Sequence, residues 1–447
     1  MLETQGYGTW LFWAIAFVGI VVLLWRPKWV MLLTIGLETA LSIGRLSLTQ
    51  FAVGNVPLDP HDILLLLALL SVLATGYRKR QQIYVPLIVV GLVWVLMFGF
   101  LLSAFKIPRY MFNIIGWLRW GLTLPVYYFV GRNECGDRQM VNLLLWTVML
   151  GALVGSGTHV LWSCVLLLKG DSLESIRNIN YLTGASAPWA VAAVARGTAW
   201  MMDARCKRLL VFLSVMMSLM SIAISLTRSL WISVIMAIPL TWIVFRKRRM
   251  GSAKVRTNLH GLTILGFGVA TVAVLSLLFS NILPTLTERM LSVGELFQGN
   301  HSMEFGDRIG IFALDFAAWL HSPLVGQGLG YWTPLVGNVD YSAIKQAWGH
   351  LGYITTLAQL GLVGFGVFYV WLPAAVIKSA KLLWVSADDT ARQLGLLGGA
   401  WMIMVLIEFL MSGNFITIGI SSAALTWGAL AAYRALLQGE RSRETAQ

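Results

Sequence analysis

Three residues in this chain have the chemistry to hold an anionic group and to take a proton. Arg228 sits in a Thr-Arg-Ser turn within "SLTRSLWIS", 225–233. Arg308 lies in "GDRIGIFALDFAAWLH", 306–321, with Asp315 two helical turns further on. His350 opens the apolar run "HLGYITTLAQLGLVGFGVFYV". A guanidinium is planar, permanently charged and able to grip phosphate through two parallel hydrogen bonds. Cations fixed in advance stabilise negative charge that develops as a bond breaks. A neutral histidine suits the role of general base at ambient pH, worth about 10²–10⁴-fold. At a helix N-terminus the dipole favours that neutral form. Arg196, in "APWAVAAVARGTAW", and Arg119, in "WLRWGL", are charged residues within predicted spans and further functional candidates, each with an equally plain structural reading. Each has a plain structural reading as well: Arg228 as a snorkelling anchor, Arg308 as a solvated surface arginine, His350 as a histidine at a membrane surface.

The elements that must position these residues are membrane helices. The chain has 447 residues, 57% hydrophobic and 12% charged, with mean hydropathy +0.74. Soluble domains carry about 25% charged residues. Many of its apolar runs approach or exceed the roughly 20 residues that cross a bilayer. No polar block is large enough to bury a core of its own, so the whole chain, 1–447, reads as one integral-membrane domain. The expected architecture is all-α, a polytopic bundle of 12–13 transmembrane helices. The spans fall near 9–25, 29–48, 61–75, 84–103, 112–131, 141–168, 186–202, 208–226, 229–245, 261–280, 350–373, 395–412 and 415–436.

The formal net charge of +13 would suggest nucleic acid in a soluble protein. Here the basic residues cluster in short loops, "YRKR" 77–80, "CKR" 206–208 and "FRKRRM" 245–250. That is the positive-inside pattern, and it excludes a nucleic-acid partner as the first reading. Arg26/Lys28, Arg78–Arg80, Arg132/Arg138, Arg205–Arg208, Arg246–Arg256, Lys378–Arg392 and Arg434–Arg443 then face the cytoplasm. The remaining loops, poorer in basic residues, face outward, and so does the N-terminus. No cleavable signal peptide is evident. Cys135, Cys164 and Cys206 show no paired spacing, so neither a disulfide nor a zinc site is expected.

One outward loop, 281–349, is far longer than the rest, and long loops are commonly functional. Within it "GDR" at 306–308 reads as a helix start with Asp307 as N-cap. Residues 308–320 are amphipathic, with Ile309, Phe312, Phe316, Trp319 and Leu320 on one face. "HSP" ends the helix. "GQGLG", 326–330, reads as a turn and not as a dinucleotide fingerprint, because no strand precedes it. A helix lying against the bilayer or the bundle fits this pattern. Charged residues inside spans are costly and become functional candidates by default. Besides those above, Glu38, Arg45 and Glu408 belong to that set. Glu38 and Arg45, seven apart, also fit a structural ion pair. His159 reads as a satisfied interior histidine.

The ordered set is an arginine in an outward Thr-Arg-Ser turn, an arginine opening an amphipathic helix followed by "SPLVGQGLG", and a histidine followed by "LAQLGLVGF". In this order it resembles the O-antigen ligase and O-antigen polymerase family of bacterial membrane glycosyltransferases. "PHDILLLL" at 60–67 is similar to an early segment of many members. The motif region covers about a quarter of the chain. Two positions depart from the family pattern: Leu351 stands where an Asn usually follows the His, and Gln359 where a Glu is usual.

The resemblance implies a fold of this kind and an activity. The donor would be an undecaprenyl diphosphate-linked glycan, on the outer face of the bacterial inner membrane. The acceptor would be a sugar hydroxyl of lipid A core or another glycan. Transfer would be inverting and independent of metal, with no cofactor. His350 would act as base, with Arg228 and Arg308 catalytic and diphosphate-binding, supported by Arg196 and Arg119. Glu288, Glu295, Glu304, Asp307, Asp315 and Asp340 in the long loop are scattered without the D-x-D spacing of a metal-diphosphate site. Partners would be the lipid-linked donor, the acceptor and membrane lipids. Ligase and polymerase differ only in the acceptor, with ligase the preferred label. A lipid-linked sugar transporter or flippase is the alternative from another class. It would show paired repeats with matching broken helices, and none is visible in the sequence. A non-catalytic scaffold for envelope assembly is a third.

Overall fold

The computed structural model describes residues 14, 17–41, 51–53, 56–58, 60–80, 82–106, 111–169, 186–196, 205–225, 228–246, 303–330, 352–411 and 421–444. These form helices almost throughout. After a helical stretch over 17–25 come α1 (Pro27–Leu41), a two-stranded hairpin, α2 (Pro60–Lys79), α3 (Leu87–Lys106), α4 (Met111–Glu134) and α5 (Arg138–Leu168). Then follow α6 (Ser186–Arg196), α7 (Arg205–Ile224), α8 (Arg228–Val244) and α9 (Met303–His321). The chain closes with α10 (Gly352–Phe365), a π-helical turn (Gly366–Trp371), α11 (Leu372–Trp384), α12 (Asp389–Met411) and α13 (Ser421–Glu444).

The hairpin pairs β1 (Phe51–Val53) with β2 (Val56–Leu58) in antiparallel register, Ala52 opposite Pro57. Among the described residues it is the one departure from the all-α expectation, and it falls in the loop 49–60. Among the described residues, four helical stretches are long and apolar enough to cross a membrane: Leu87–Lys106, Arg138–Leu166, Gly352–Trp384 and Asp389–Leu410. Shorter apolar helices accompany them. The span expected at 261–280 lies outside the described residues, as do 9–13, 15 and 16 of the span expected at 9–25.

Several boundaries move. The third of these stretches reaches from Gly352 to Trp384, 33 residues, with a kink at Gly361, so Lys378 and Lys381 are helical and not in a loop. Asp307 is not an N-cap, because α9 already begins at Met303.

Backbone groups in a bilayer must be satisfied within the protein, and helices do this locally. What remains is side-chain packing. One large apolar core joins α1–α8 and α10–α13, with Tyr127, Phe245, Phe368, Phe409, Trp427 and Tyr433 fully buried. Many large apolar side chains, such as Trp94, Leu161 and Ile235, point outward. That arrangement suits lipid as solvent, where an apolar surface costs nothing.

The loops expected in the cytoplasm meet at one end of the bundle. Lys28 at the start of α1 pairs with Asp137 at 3.1 Å. Arg78 donates to the carbonyls of Leu24 and Trp25. Arg138 meets Asp388 at 3.3 Å, and Tyr433 of α13 also donates to Asp388. Phe245 packs edge-on against Trp384. At this end Asp137 also caps α5 through the Met140 amide. Burial works against its ionised form, but that amide and Lys28 outweigh it and hold the carboxyl below its ordinary range. Its neighbour Glu134 is fully buried, with no hydrogen bond to either carboxylate oxygen. Burial pushes it up to about 7, against the lowering influence of Thr75, Lys28 and Lys79.

Candidate functional site

At the opposite end the glycine-rich turn after α9 is built into a break in α10. Gly361 has φ 63° and ψ −166°, which no helix accommodates. In an unbroken helix the Leu362 and Val363 amides would donate to the Ala358 and Gln359 carbonyls. Here they donate instead to Pro323 O at 2.9 Å and Leu324 O at 3.1 Å. The released carbonyls of Ala358 and Gln359 accept from the Gln327 and Gly328 amides at 2.8 and 2.9 Å. Two helical bonds are thus exchanged for four bonds to the turn, and no backbone group at the break is orphaned.

The same turn grips α3. The Leu329 amide donates to Gly99 O, and Ser103 Oγ donates to Leu329 O at 2.6 Å. Lys106 Nζ donates to Gln327 Oε1 at 3.0 Å, while Gln327 Nε2 donates back to Ala318 O of α9. The geometry requires glycine. Gly328 sits at φ +113°, and a Cβ there would lie 2.8 Å from the Ser103 amide nitrogen. A Cβ on Gly361 would lie 2.3 Å from Leu324 O. "GQGLG" is therefore a turn, as expected, and its glycines serve backbone docking.

The amphipathic helix α9 stands with its polar face inward. Phe312, Phe316 and Leu320 are exposed, with the Phe312 and Phe316 rings stacked 5.9 Å apart. Trp319 Nε1 donates to Pro323 O. Asp315 and Ala318 turn toward α10. Thr355 Oγ1 donates to Asp315 Oδ2 at 2.8 Å. Burial raises the Asp315 carboxyl to about 6, against the lowering effect of that hydrogen bond. Four residues beyond Thr355 on the same face, Gln359 is fully buried with neither amide atom bonded. An unpaired buried amide costs about 1–3 kcal/mol, so its presence asks for an explanation that packing does not supply.

Arg308 lies within α9, seven residues before Asp315. His350 itself lies outside the described residues, and α10 begins two residues after it, at Gly352. Arg228 is the first residue of α8. Three residues further on, Trp231 Nε1 donates to the Ile222 carbonyl of α7 at 2.7 Å, which also accepts from Ser225 Oγ. Arg196 is the last residue of α6. Arg119 is paired: it meets Asp62 of α2 at 3.1 Å. The arginine in "WLRWGL" and the aspartate in "PHDILLLL", singled out for different reasons, form one ion pair. Glu38 lies in α1 and Glu408 in α12, while Arg45 lies outside the described residues.

A buried seam of hydroxyls runs between α5, α6 and α7. Ser156 Oγ meets Ser186 Oγ at 2.7 Å, and Ser218 and Ser214 continue it along α7. His159 belongs to this seam, with Nδ1 2.7 Å from Ser221 Oγ. It is the interior histidine the sequence suggested.

The sequence reading missed the broken helix, the role of Thr355 and the isolation of Gln359. One signal was present: Gly361 interrupts an apolar run, and a glycine there marks a close backbone approach. Neither a scan of the sequence against protein-family models nor a search of curated proteins returned a match.

Proposed function

We propose that this chain is a membrane glycosyltransferase of the O-antigen ligase type. It would move a glycan from an undecaprenyl diphosphate carrier to a sugar hydroxyl at the outer face of the bacterial inner membrane. One observation carries the reading. The helix bearing Arg308 is docked by Asp315–Thr355 and by the glycine turn onto the outer end of α10, which begins two residues after His350. This sets the helix that carries Arg308 against α10, which supports the part of the reading that joins Arg308 to His350. In the mechanism proposed, Arg228 and Arg308 hold the diphosphate and take up the charge that develops on it. His350 removes the acceptor's proton as that oxygen forms the new glycosidic bond and the carrier diphosphate leaves. Arg119, already paired with Asp62, is better suited to support than to direct phosphate contact.

The test is reconstituted transfer by purified protein, with lipid A core as acceptor in one reaction and excess donor alone in another. Glycan on lipid A identifies a ligase; lengthened carrier-linked chains identify a polymerase. Arg228→Ala and Arg308→Ala should each lower turnover by about 10²-fold or more. Absence of product in both reactions, with both variants matching wild type in cells, overturns the enzyme reading. Chelator-sensitive turnover overturns the metal-free mechanism.

A further inference from the structure

Several basic residues at the end of the bundle opposite α9 have partners within the protein. Lys28 pairs with Asp137, Arg138 with Asp388 and Arg392 with Asp389, while Arg78 donates to two carbonyls. Arg132 of α4 and Arg434 of α13 break this pattern. Both are half-buried, and neither meets a carboxylate among the described residues. Arg132 sits over the Tyr84 ring, 4.7 Å from its centre. Tyr84 is held there by Asn133, which accepts from its amide at 2.9 Å and donates to its carbonyl at 3.0 Å. No N–H of Arg132 donates to a protein acceptor among the described residues, and burial works against its charge. Arg434 gives one N–H to Ser379 Oγ of α11 at 3.3 Å, and its Nε is buried with no acceptor. Ser379 is itself buried, so this guanidinium turns into the bundle, where a snorkelling anchor would turn out to water. The two arginines belong to one cluster, for the Tyr128 hydroxyl lies within electrostatic reach of both. At this point α4 and α13 touch backbone to backbone: a Cβ on Gly428 would lie 2.8 Å from the Arg132 amide nitrogen. Side chains on a helix lean toward its N-terminus, which carries Arg434, six residues beyond Gly428, back toward Tyr128. Asp388, bound by the adjacent Tyr433, is already the partner of Arg138. The positive-inside bias accounts for arginines at this end. It does not account for two that are half-buried without a counter-charge, since a buried charge left unpaired is costly.

From this juxtaposition we propose that Arg132 and Arg434 form a binding site for an anionic phosphate where α4, α11 and α13 meet. Guanidiniums grip phosphate through paired hydrogen bonds, and basic pockets between membrane helices on the cytoplasmic side take phospholipid heads. A phosphate reaches such a site either on an anionic phospholipid or free in solution. The exposed apolar rim of Ile83, Val85 and Leu87 beside Tyr84 favours the lipid. The site lies away from α9 and rests on no part of the transfer reaction proposed above.

The test uses the full-length protein in detergent, with bound lipid counted by native mass spectrometry after exchange into equimolar phosphatidylglycerol and phosphatidylcholine. Phosphatidylglycerol should be retained in preference. Arg132→Gln with Arg434→Gln should lower that retention about tenfold. Arg78→Gln with Arg80→Gln removes the same charge from the same end and should leave retention unchanged. Arg132→Lys with Arg434→Lys keeps the charge but loses the paired grip, so it should retain an intermediate amount. A second readout needs no variant: wild-type protein in phosphatidylcholine nanodiscs should melt at a higher temperature once phosphatidylglycerol is added. Inorganic phosphate that raises melting in phosphatidylcholine alone, and displaces phosphatidylglycerol, would make the free anion the occupant of the same site. Equal retention of the two lipids, or equal loss in both Gln pairs, would show only a basic surface and overturn the site. Melting indifferent to both phosphatidylglycerol and phosphate would overturn it as well.

Discussion

Asp315 is the residue whose environment the sequence could not foretell. Read along α9 it is one acidic residue on a helix; in the fold it is the contact between α9 and α10. Its carboxyl, raised by burial to about 6 from an ordinary 3.8, makes a definite prediction. A carboxyl with a raised folded pKa keeps a proton that the unfolded chain gives up. Its contribution to stability is therefore most favourable below the unfolded value and declines as pH climbs through the window to about 6. Asp315→Asn removes the ionisation and keeps an acceptor for Thr355. The variant should melt above wild type near pH 8, by a margin of order 1–2 kcal/mol, and the difference should shrink toward about pH 5. A margin independent of pH would show that ionisation of Asp315 is not what the fold resists. Gln359 supports a second prediction at this scale. Replacing an unbonded buried amide by Leu should stabilise the protein by about 1 kcal/mol in thermal unfolding. If transfer activity falls while stability rises, the amide is retained for function. If activity holds, Gln359 has no part in the chemistry.

Among elements, the turn at 322–330 and the break in α10 are a single device. The turn supplies the hydrogen bonds that Gly361 denies the helix, and the helix supplies the carbonyls that the turn's amides require. Neither half is stable alone, because each would bury unpaired backbone groups. Gly328→Ala and Gly361→Ala should each destabilise by at least about 2 kcal/mol, from a strained φ and a clash against backbone. The internal control is Gly366→Ala in the same span, where a new methyl meets nothing within 4 Å. Detergent melting curves that place all three together would refute the docking. This device shows why the sequence was only partly legible. The turn could be read from "GQGLG", since glycine spacing is local information. Its partner could not, because the carbonyls it binds lie more than thirty residues away, inside what hydropathy registers as an ordinary span. Amphipathicity of α9 was legible too, but its sense was not: composition gives two faces, and only Asp315–Thr355 shows that the polar one turns inward.

For the whole molecule, the alternation of basic and non-basic loops becomes a physical arrangement. The basic segments around Lys28, Arg78, Arg138, Phe245, Asp388 and Arg434 touch one another at one end. Asp315, Lys106 and the glycine turn gather at the other. Charge bias assigns these ends to the cytoplasm and the outside, and the assignment has consequences for every functional statement above. Under the proposed function a carrier-linked glycan is consumed on the outer face, and that requires the end bearing α9 to lie there. Single cysteines test this on cells whose outer membrane has been removed. His321→Cys, on the exposed end of α9, should react with a membrane-impermeant maleimide on intact cells. Tyr77→Cys, 89% exposed in the last turn of α2, should react only after permeabilisation. The native background is low at Cys135, which is fully buried with its thiol pushed up by that burial. The opposite labelling pattern would leave the fold intact and reverse its meaning. The ends of the helices that carry Arg228 and Arg308, with the glycine turn, would then lie at the cytoplasm, and the outer-face transfer reaction would have to be abandoned whatever the geometry of its residues.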